Sequence, residues 1–465
     1  MPQMSLHKEL AGSGQGEAQS QPGSVETPTA GKGPGHSGIG SLMEAVVERG
    51  NLLAALRRVK QNKGSPGVDG MTVGELDTYL RENWVATRER LLLGHYAPRP
   101  VKRVEIPKSG GGGPQGGLRE LGIPTVLDRF IQQAMLQVLQ PILDPTFSQN
   151  SYGFRPGKSA HQAVVAARNL VAGGKRFVVD VDLERFFDRV QHDVLMGRLE
   201  QRVKDPRLLG LIRRYLEAAV LLNGVVIERH EGTPQGGPLS PLLANVLLDE
   251  VDKEMEKRGH GFVRYADDCN VYVASKRAGM RVMALLRKLY GNLKLKVNES
   301  KSAVDLATHR KILGYSMWYG PNGSVRLAVA HTTIGVMKEK VRQITGRNGG
   351  RSIEKVVEDL RAYLPGWKNY FSLAATPVVF RELDEWIRHR LRQLQLKQWK
   401  RGTTAYRELL SRETPEWVAK QAATNIRSWW RTSSQALNTA MPIRYFDALG
   451  LPSLVRTPCV IDRSR

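Results

Sequence analysis

Two segments of the 465-residue sequence place acidic residues among apolar ones. The first runs Val178-Val179-Asp180-Val181-Asp182-Leu183-Glu184-Arg185-Phe186-Phe187-Asp188. The second runs Phe262-Val263-Arg264-Tyr265-Ala266-Asp267-Asp268-Cys269-Asn270-Val271-Tyr272-Val273. In the second, apolar and aromatic residues on both sides predict two strands, with Asp267 and Asp268 at the tip of their joining turn. Turn aspartates are common, so this pair alone means little. The first segment predicts a central strand over Phe177 to Val181, with Asp182 just past its end. A carboxylate there can meet the tip of a neighbouring hairpin. Three converging carboxylates repel one another unless cations neutralise them. Magnesium, a hard ion that prefers oxygen ligands and substrate phosphates, is the natural choice. Two such ions ~4 Å apart can activate a primer 3′-hydroxyl and stabilise a leaving pyrophosphate. Strand alternation puts Asp180 on the same face as Asp182. Asp180 is therefore a rival, although Asp182 lies nearer the strand end.

The elements that must carry these residues can be read from periodicity. Helices are expected over Val73 to Leu80, Asp128 to Leu143, His161 to Ala172 and about Leu239 to Arg258. Residues 101 to 106 read as a strand, and a glycine-rich loop, Ser109 to Gly117, separates it from Leu118 to Ile123. Strands interleaved with helices point to an α/β or α+β catalytic body. After about Leu327 strands disappear. There Leu383, Trp386, Ile387, Leu391 and Leu394 form one helical face, and Arg381, Arg388, Arg392, Lys397, Lys400 and Arg401 crowd the rest. Charge runs are usually solvated faces, but acidic partners thin out after Glu385, which favours a phosphate-contacting face. The formal net charge of +24 points the same way, to a polyanionic partner. Two cysteines, Cys269 and Cys459, cannot build a disulfide framework or a cysteine-based zinc site. No apolar run approaches the ~20 residues of a membrane span. Residues 1–38, rich in Gly, Ser, Gln and Pro, read as a disordered tail.

Tyr265-Ala266-Asp267-Asp268 resembles the reverse-transcriptase signature, an aromatic and any residue followed by two aspartates. The Asp182 segment resembles its upstream partner. Between them, Gly232-Thr233-Pro234-Gln235-Gly236-Gly237-Pro238-Leu239-Ser240-Pro241-Leu242-Leu243-Ala244-Asn245 resembles the nucleotide-and-template motif of intron-encoded reverse transcriptases. Three motifs in this order resemble the bacterial group II intron-encoded reverse transcriptase/maturase family, from about Ile39 to the C-terminus. The resemblance implies a right-hand polymerase: fingers, a palm with an antiparallel sheet, and an α-helical thumb. It divides the chain into fingers and palm (39–322), thumb or maturase domain (323–402) and a small helical DNA-binding module (403–465).

The resemblance also implies roles. Asp182, Asp267 and Asp268 would be catalytic, and with Leu183 would hold two Mg2+ ions. Lys108 and Arg119, on a fingers hairpin, would clamp the triphosphate, and Gln235 and Gly236 would line the pocket. Phe187 matches the position that meets the incoming sugar and selects dNTPs over rNTPs; one of Phe186 and Phe187 would pack into the core instead. Lys301 would act as general acid to pyrophosphate, or be a charge on a helix cap. Gly153 and Gly157 would suit tight backbone beside template, and Arg155 would contact nucleic acid or brace a palm carboxylate. In the thumb, Trp367 and Phe371 are expected in the core and Lys368 outward, on the nucleic-acid side with Arg388, Arg392, Lys397, Lys400 and Arg401. Residues from about Gly402, including Trp417, Trp429, Trp430, Arg427 and Arg431, match the DNA-binding module in position. The family's activity would be RNA-directed DNA synthesis plus help in splicing, with intron RNA as template, target DNA as primer, dNTPs as substrates and the bacterial cytoplasm, at the nucleoid, as location. With neither a His-Asn-His endonuclease motif nor cysteine pairs, the chain resembles the compact, class C-like subgroup. A domesticated enzyme serving antiphage defence or DNA repair is the alternative.

Overall fold

A computed structural model describes residues 42–107, 118–222, 225–227, 229, 231–234, 236–347, 349–425 and 436–455. Two compact units result, the first ending at Arg310 and the second beginning at Lys311. The expected tail over residues 1–38 lies outside the described residues.

The first unit opens with helices α1 (Leu42–Val46), α2 (Arg49–Asn62) and α3 (Leu76–Leu92). Helix α3 begins later than the expected Val73 because Thr72 donates its N–H and hydroxyl to the Glu75 carboxylate, both at 2.7 Å, which holds a turn ahead of the helix. It runs on to Leu92 because no glycine or proline interrupts it before Gly94. Strands β1 (Val101–Pro107) and β2 (Leu118–Ile123) then form an antiparallel pair. Helix α4 (Val126–Leu143) starts at Thr125, whose side chain accepts from the Asp128 N–H. Helix α5 (Ala160–Ala172) starts at a reciprocal Ser159–Gln162 capping box.

Strand β3 (Phe177–Val181) has the bounds expected from the sequence. It is followed by α6 (His192–Glu200), α7 (Pro206–Glu217), β4 (Val220–Leu222), β5 (Val225–Ile227), α8 (Ser240–Lys257), β6 (Gly261–Tyr265), β7 (Asp268–Val273), α9 (Lys276–Asn292) and β8 (Ala303–Leu306). Two four-stranded sheets form. One has the order β2-β1-β4-β5. The other, β6-β7-β3-β8, is antiparallel throughout. Helix α5 lies along β6 and α9 along β3 and β7. These contacts bury Val179, Val271 and Leu286 completely.

The second unit opens with a three-stranded antiparallel sheet, β9 (Lys311–Ile312), β10 (Tyr315–Tyr319) and β11 (Val325–Val329). The boundary expected at residue 322 falls between β10 and β11. Helices follow: α10 (His331–Ile344), α11 (Ile353–Tyr370), α12 (Pro377–Trp399), α13 (Gly402–Leu410), α14 (Glu416–Thr424), α15 (Ala436–Ala440) and α16 (Ile443–Ala448). Trp367 and Phe371 are buried, their rings 4.8 Å apart, and Phe380 meets Trp367 edge-on at 6.1 Å.

Of the basic back expected on α12, Arg392 lies in the interior, whereas Arg381, Arg388 and Lys397 stay at least partly exposed. Residues 391–396 are all buried, Arg392, Gln393 and Gln395 included. The reason lies in residues 436–455, which cover this helix: Arg392 donates to the Met441 carbonyl at 2.8 and 3.1 Å, and Asp384 accepts from the Leu454 N–H and the Ser453 hydroxyl. Lys368, expected outward, is also buried, its ammonium 3.6 Å from the centre of the Phe380 ring. Among the described residues, no helix is long and apolar enough to cross a membrane.

Candidate active site

The register of β3 brings the two acidic segments together. Val181 opposes Cys269 on β7, and Asp180 opposes Asn270. One step further along the same register sets Asp182, just past β3, opposite Asp268. Tyr265 opposes Asp268 from the other side, so the β6–β7 turn consists of Ala266 and Asp267 alone. All three aspartates therefore gather at one end of the sheet. Asp180 is engaged elsewhere: Arg310 donates to its carboxylate through Nε (2.8 Å) and Nη2 (2.6 Å). Asp182 has a different neighbour, Lys301, 3.3 Å away.

Lys301 arrives on the segment after α9. The Asp182 carbonyl accepts from the Asn298 N–H at 2.8 Å, and the Ser302 hydroxyl receives the Asp182 N–H at 3.0 Å. The Lys301 side chain is still 64% exposed, so its ammonium retains freedom to move. Leu183 has a buried apolar side chain, which leaves its main-chain carbonyl as its only donor to a cation.

Burial, then the charges of Asp267, Asp182 and Asp180, raises the Asp268 carboxyl to about 7. Its side chain reaches solvent at the strand end. The like charges are thus the cause that a bound cation would answer. Three hard carboxylates in mutual repulsion suit a hard divalent ion. Among the described residues, no three His, Cys, Asp or Glu side chains close around a metal position. An ion held by these carboxylates would take its remaining ligands from water and substrate phosphates. Cys269, one residue on, is fully buried and its thiol is pushed up to about 12, so it takes no part.

The two phenylalanines divide. Phe186 is a core residue at 3% exposure, which corrects its assignment to nucleotide binding. Phe187 is half-buried, edge-on to Phe186 with ring centres 5.1 Å apart. The reason is the short 3-10 turn Phe186–Asp188, entered through Arg185 at φ 47°, which turns neighbouring rings apart. The Phe187 carbonyl accepts from the Thr233 N–H at 2.7 Å, tying this turn to the start of the Gly232–Asn245 motif.

Other expected residues are placed differently. Arg155 is buried, ion-paired with Asp144 at 2.8 Å, and donates to the Ser151 carbonyl at 3.0 Å. Of its two expected roles, nucleic-acid contact and bracing of a carboxylate, the contacts are of the second kind: it braces Asp144 and the Ser148–Ser151 turn. Gly153 packs against the protein itself. A Cβ there would lie 3.0 Å from the Tyr265 carbonyl carbon and closer still to the Ala266 nitrogen. Gly153→Ala should therefore push the catalytic turn, costing about 1–3 kcal/mol and slowing catalysis. An unchanged melting temperature and rate would show that the turn has slack. Gly157, at φ 70°, has open space around its Cβ position. Gly236 makes its close approach to β2: a Cβ would lie 2.8 Å from the Gly122 carbonyl oxygen. Lys108 and Gln235 lie outside the described residues, as do the Arg119 side chain and residues Arg427, Trp429, Trp430 and Arg431.

In the second unit, Arg388, Lys397, Lys400 and Arg401 remain at least partly exposed. Sequence reasoning missed a further group. Lys338 and Arg342 on α10 and Arg390 on α12 surround the Trp386 ring at 5.7, 5.7 and 6.0 Å. Helical spacing gives its signal: 338 and 342, like 386 and 390, share a face.

Two family models match the chain: Reverse transcriptase (RNA-dependent DNA polymerase) over residues 106–317, and Group II intron, maturase-specific domain over residues 334–413. The three aspartates fall within the first. Among curated proteins, the chain is 33% identical over 309 residues to Protein YkfC of Escherichia coli (strain K12), covering 57% of this chain and 79% of that one. It is 34% identical over 245 residues to Group II intron-encoded protein LtrA of Lactococcus lactis subsp. cremoris, covering 52% of this chain and 40% of LtrA. It is 30% identical over 213 residues to the Putative COX1/OXI3 intron 1 protein of Saccharomyces cerevisiae, covering 44% and 24%. The chain thus spans well under half the length of the last two.

Proposed function

The chain belongs to the group II intron reverse transcriptase/maturase family, and we propose that it copies intron RNA into DNA from a target-DNA primer and also helps its intron to splice. The observation that carries this reading is the register that sets Asp182 opposite Asp268, beside the Asp267 turn. Asp182, Asp267, Asp268 and the Leu183 carbonyl would hold two Mg2+ ions. Bound there, they would favour ionisation of the primer 3′-hydroxyl and neutralise charge on the departing pyrophosphate.

The protein's own residues supply the rest. Lys301, beside Asp182, passes a proton to the leaving pyrophosphate. Lys108 and Arg119 hold the triphosphate, Arg with a planar fork and Lys as a point charge. Gln235 and Gly236 complete the nucleotide pocket. Phe187 excludes a 2′-hydroxyl. In the second unit, Arg388, Lys397, Lys400 and Arg401 contact phosphates, and the Trp386 cluster adds an aromatic surface of the kind that holds RNA. The helices from Gly402 onward bind target DNA. These activities together would support retrohoming by target-primed reverse transcription.

Primer extension on an RNA template, in magnesium with dNTPs, tests the reading. Wild-type protein should extend the primer; a folded protein that never does so would leave RNA binding without polymerisation as its role. Phe187→Ala should relax discrimination against rNTPs by roughly ten- to hundredfold, read as the ratio of kcat/KM for the two nucleotides. An unchanged ratio would make Phe187 a packing residue.

A further inference from the structure

The β6–β7 turn is held from below by a charged side chain that no solvent reaches. Arg264, on β6, is 0% exposed, and its partners Asp252 and Asn245, both on α8, are 1% exposed. The Arg264 Nε donates to both Asp252 carboxylate oxygens at 2.9 Å, and Nη2 donates to one of them at 2.7 Å. Its Nη1 donates to Asn245 Oδ1 at 2.9 Å and to the Ala266 carbonyl at 2.8 Å. Asn245 in turn donates to the Gly153 carbonyl at 3.0 Å. The main chain of Arg264 is held as well, donating to the Asn150 carbonyl and accepting from the Tyr152 N–H, both at 2.9 Å.

The Ala266 carbonyl belongs to the peptide that leads into Asp267. Ala266 has φ 58°, a left-handed conformation that favours glycine and strains an alanine. Something must hold it there. Gly153 leaves no room for a side chain beside the Ala266 nitrogen, and Arg264 donates to the Ala266 carbonyl. Asp252 neutralises the guanidinium, so the effect on the aspartates is geometric, with little net field. Asn245 closes the motif that begins at Gly232, and its helix α8 therefore connects the Gly232–Gly236 segment to the turn.

We propose that Arg264, oriented by Asp252 and Asn245, is a positioning residue that sets the direction of Asp267 and Asp268 by anchoring the Ala266–Asp267 peptide. The proposal rests on the polymerase reading. An arginine is required because one planar fork must serve three partners in different directions. Lysine keeps the charge and can satisfy Asp252, but its single ammonium cannot also reach Asn245 and the Ala266 carbonyl.

The test compares Arg264→Lys and Asn245→Ala with wild type and with Arg202→Lys. Arg202 pairs with the buried Asp249 on the same helix at 2.6 Å, and serves as a control for lost stability alone. Two readouts are taken on the full chain: kcat and KM for dNTP in primer extension, and hydrogen exchange of the amides of Ala266, Asp267 and Asp268 without metal or substrate. Arg264→Lys is expected to lower kcat roughly ten- to hundredfold, with KM within about twofold, and to speed exchange at the turn. Asn245→Ala should shift both readouts in the same direction by less, and Arg202→Lys should shift neither. Wild-type kcat and exchange in Arg264→Lys, or equal changes in Arg202→Lys, would overturn the proposal. If Arg264→Lys does not fold, Asn245→Ala decides: unchanged kcat and exchange there would overturn it. The exchange readout needs no polymerase activity, so an inactive wild type would count against the function while leaving the anchoring measurable.

Discussion

Replacing Asp267 or Asp268 by alanine lowers primer extension by roughly a thousandfold or more, equivalent to about 4 kcal/mol of transition-state stabilisation. The size follows from the chemistry. Phosphoryl transfer offers a protein little covalent work, so positioning and charge neutralisation carry most of the rate. Each aspartate supplies an oxygen that no neighbour can replace: Asp180 is committed to Arg310 and Cys269 is sealed in the core. Extension within about tenfold of wild type would show that the chemistry lies elsewhere. A pH dependence accompanies this expectation. In the metal-free protein the Asp268 carboxyl is raised to about 7, above the ordinary carboxylate range. A cation must displace that proton, so magnesium binding strengthens as pH rises through about 7. Magnesium should therefore raise the melting temperature more at pH 8 than at pH 6, and Asp268→Asn should abolish the difference. Equal shifts at both pH values would mean that Asp268 is already ionised.

The second large effect is on stability. Asp252→Ala leaves the Arg264 guanidinium buried and unpaired, which costs about 3–5 kcal/mol. In a unit of this size that lowers the melting temperature by roughly 10 °C. The mechanism is a buried charge stripped of its partner, so it has a specific rescue. Asp252→Leu combined with Arg264→Met removes both charges and should recover most of the loss. Catalysis should stay low in the rescued protein, because methionine has no donor for the Ala266 carbonyl. A double variant as unstable as Asp252→Ala would show that the pair's hydrogen bonds matter more than the isolated charge.

Much of the site was legible because its signals are local. The run Phe177–Val181, apolar but for Asp180, reads as a central strand, and two aspartates between aromatic and apolar runs read as the tip of a hairpin. The same local logic failed for Lys368 and Arg392. A basic side chain is exposed unless a partner waits inside, and their partners, the Phe380 ring and the Met441 carbonyl, are set by chain paths that periodicity does not describe. Arg264 was missed for the converse reason. Its signal was present: a lone arginine in the apolar strand Phe262-Val263-Arg264-Tyr265, and Asp249 and Asp252 amid the leucines and valines of α8. Charges inside apolar elements imply one another, but only if the two elements are known to touch.

By itself the sequence narrowed the chemistry: which residues could carry negative charge at strand ends, the family that such a pattern resembles, and the polyanionic partner to which the positive charge points. Tertiary structure decided which of the candidate charges are free to act. Arg310, 130 residues away in the chain, engages Asp180, whereas Lys301 stands beside Asp182. The choice between Phe186 and Phe187 turned on the twist of one 3-10 turn. Periodicity fixes the face on which a side chain emerges, whereas burial and pairing depend on what the rest of the chain brings to that face.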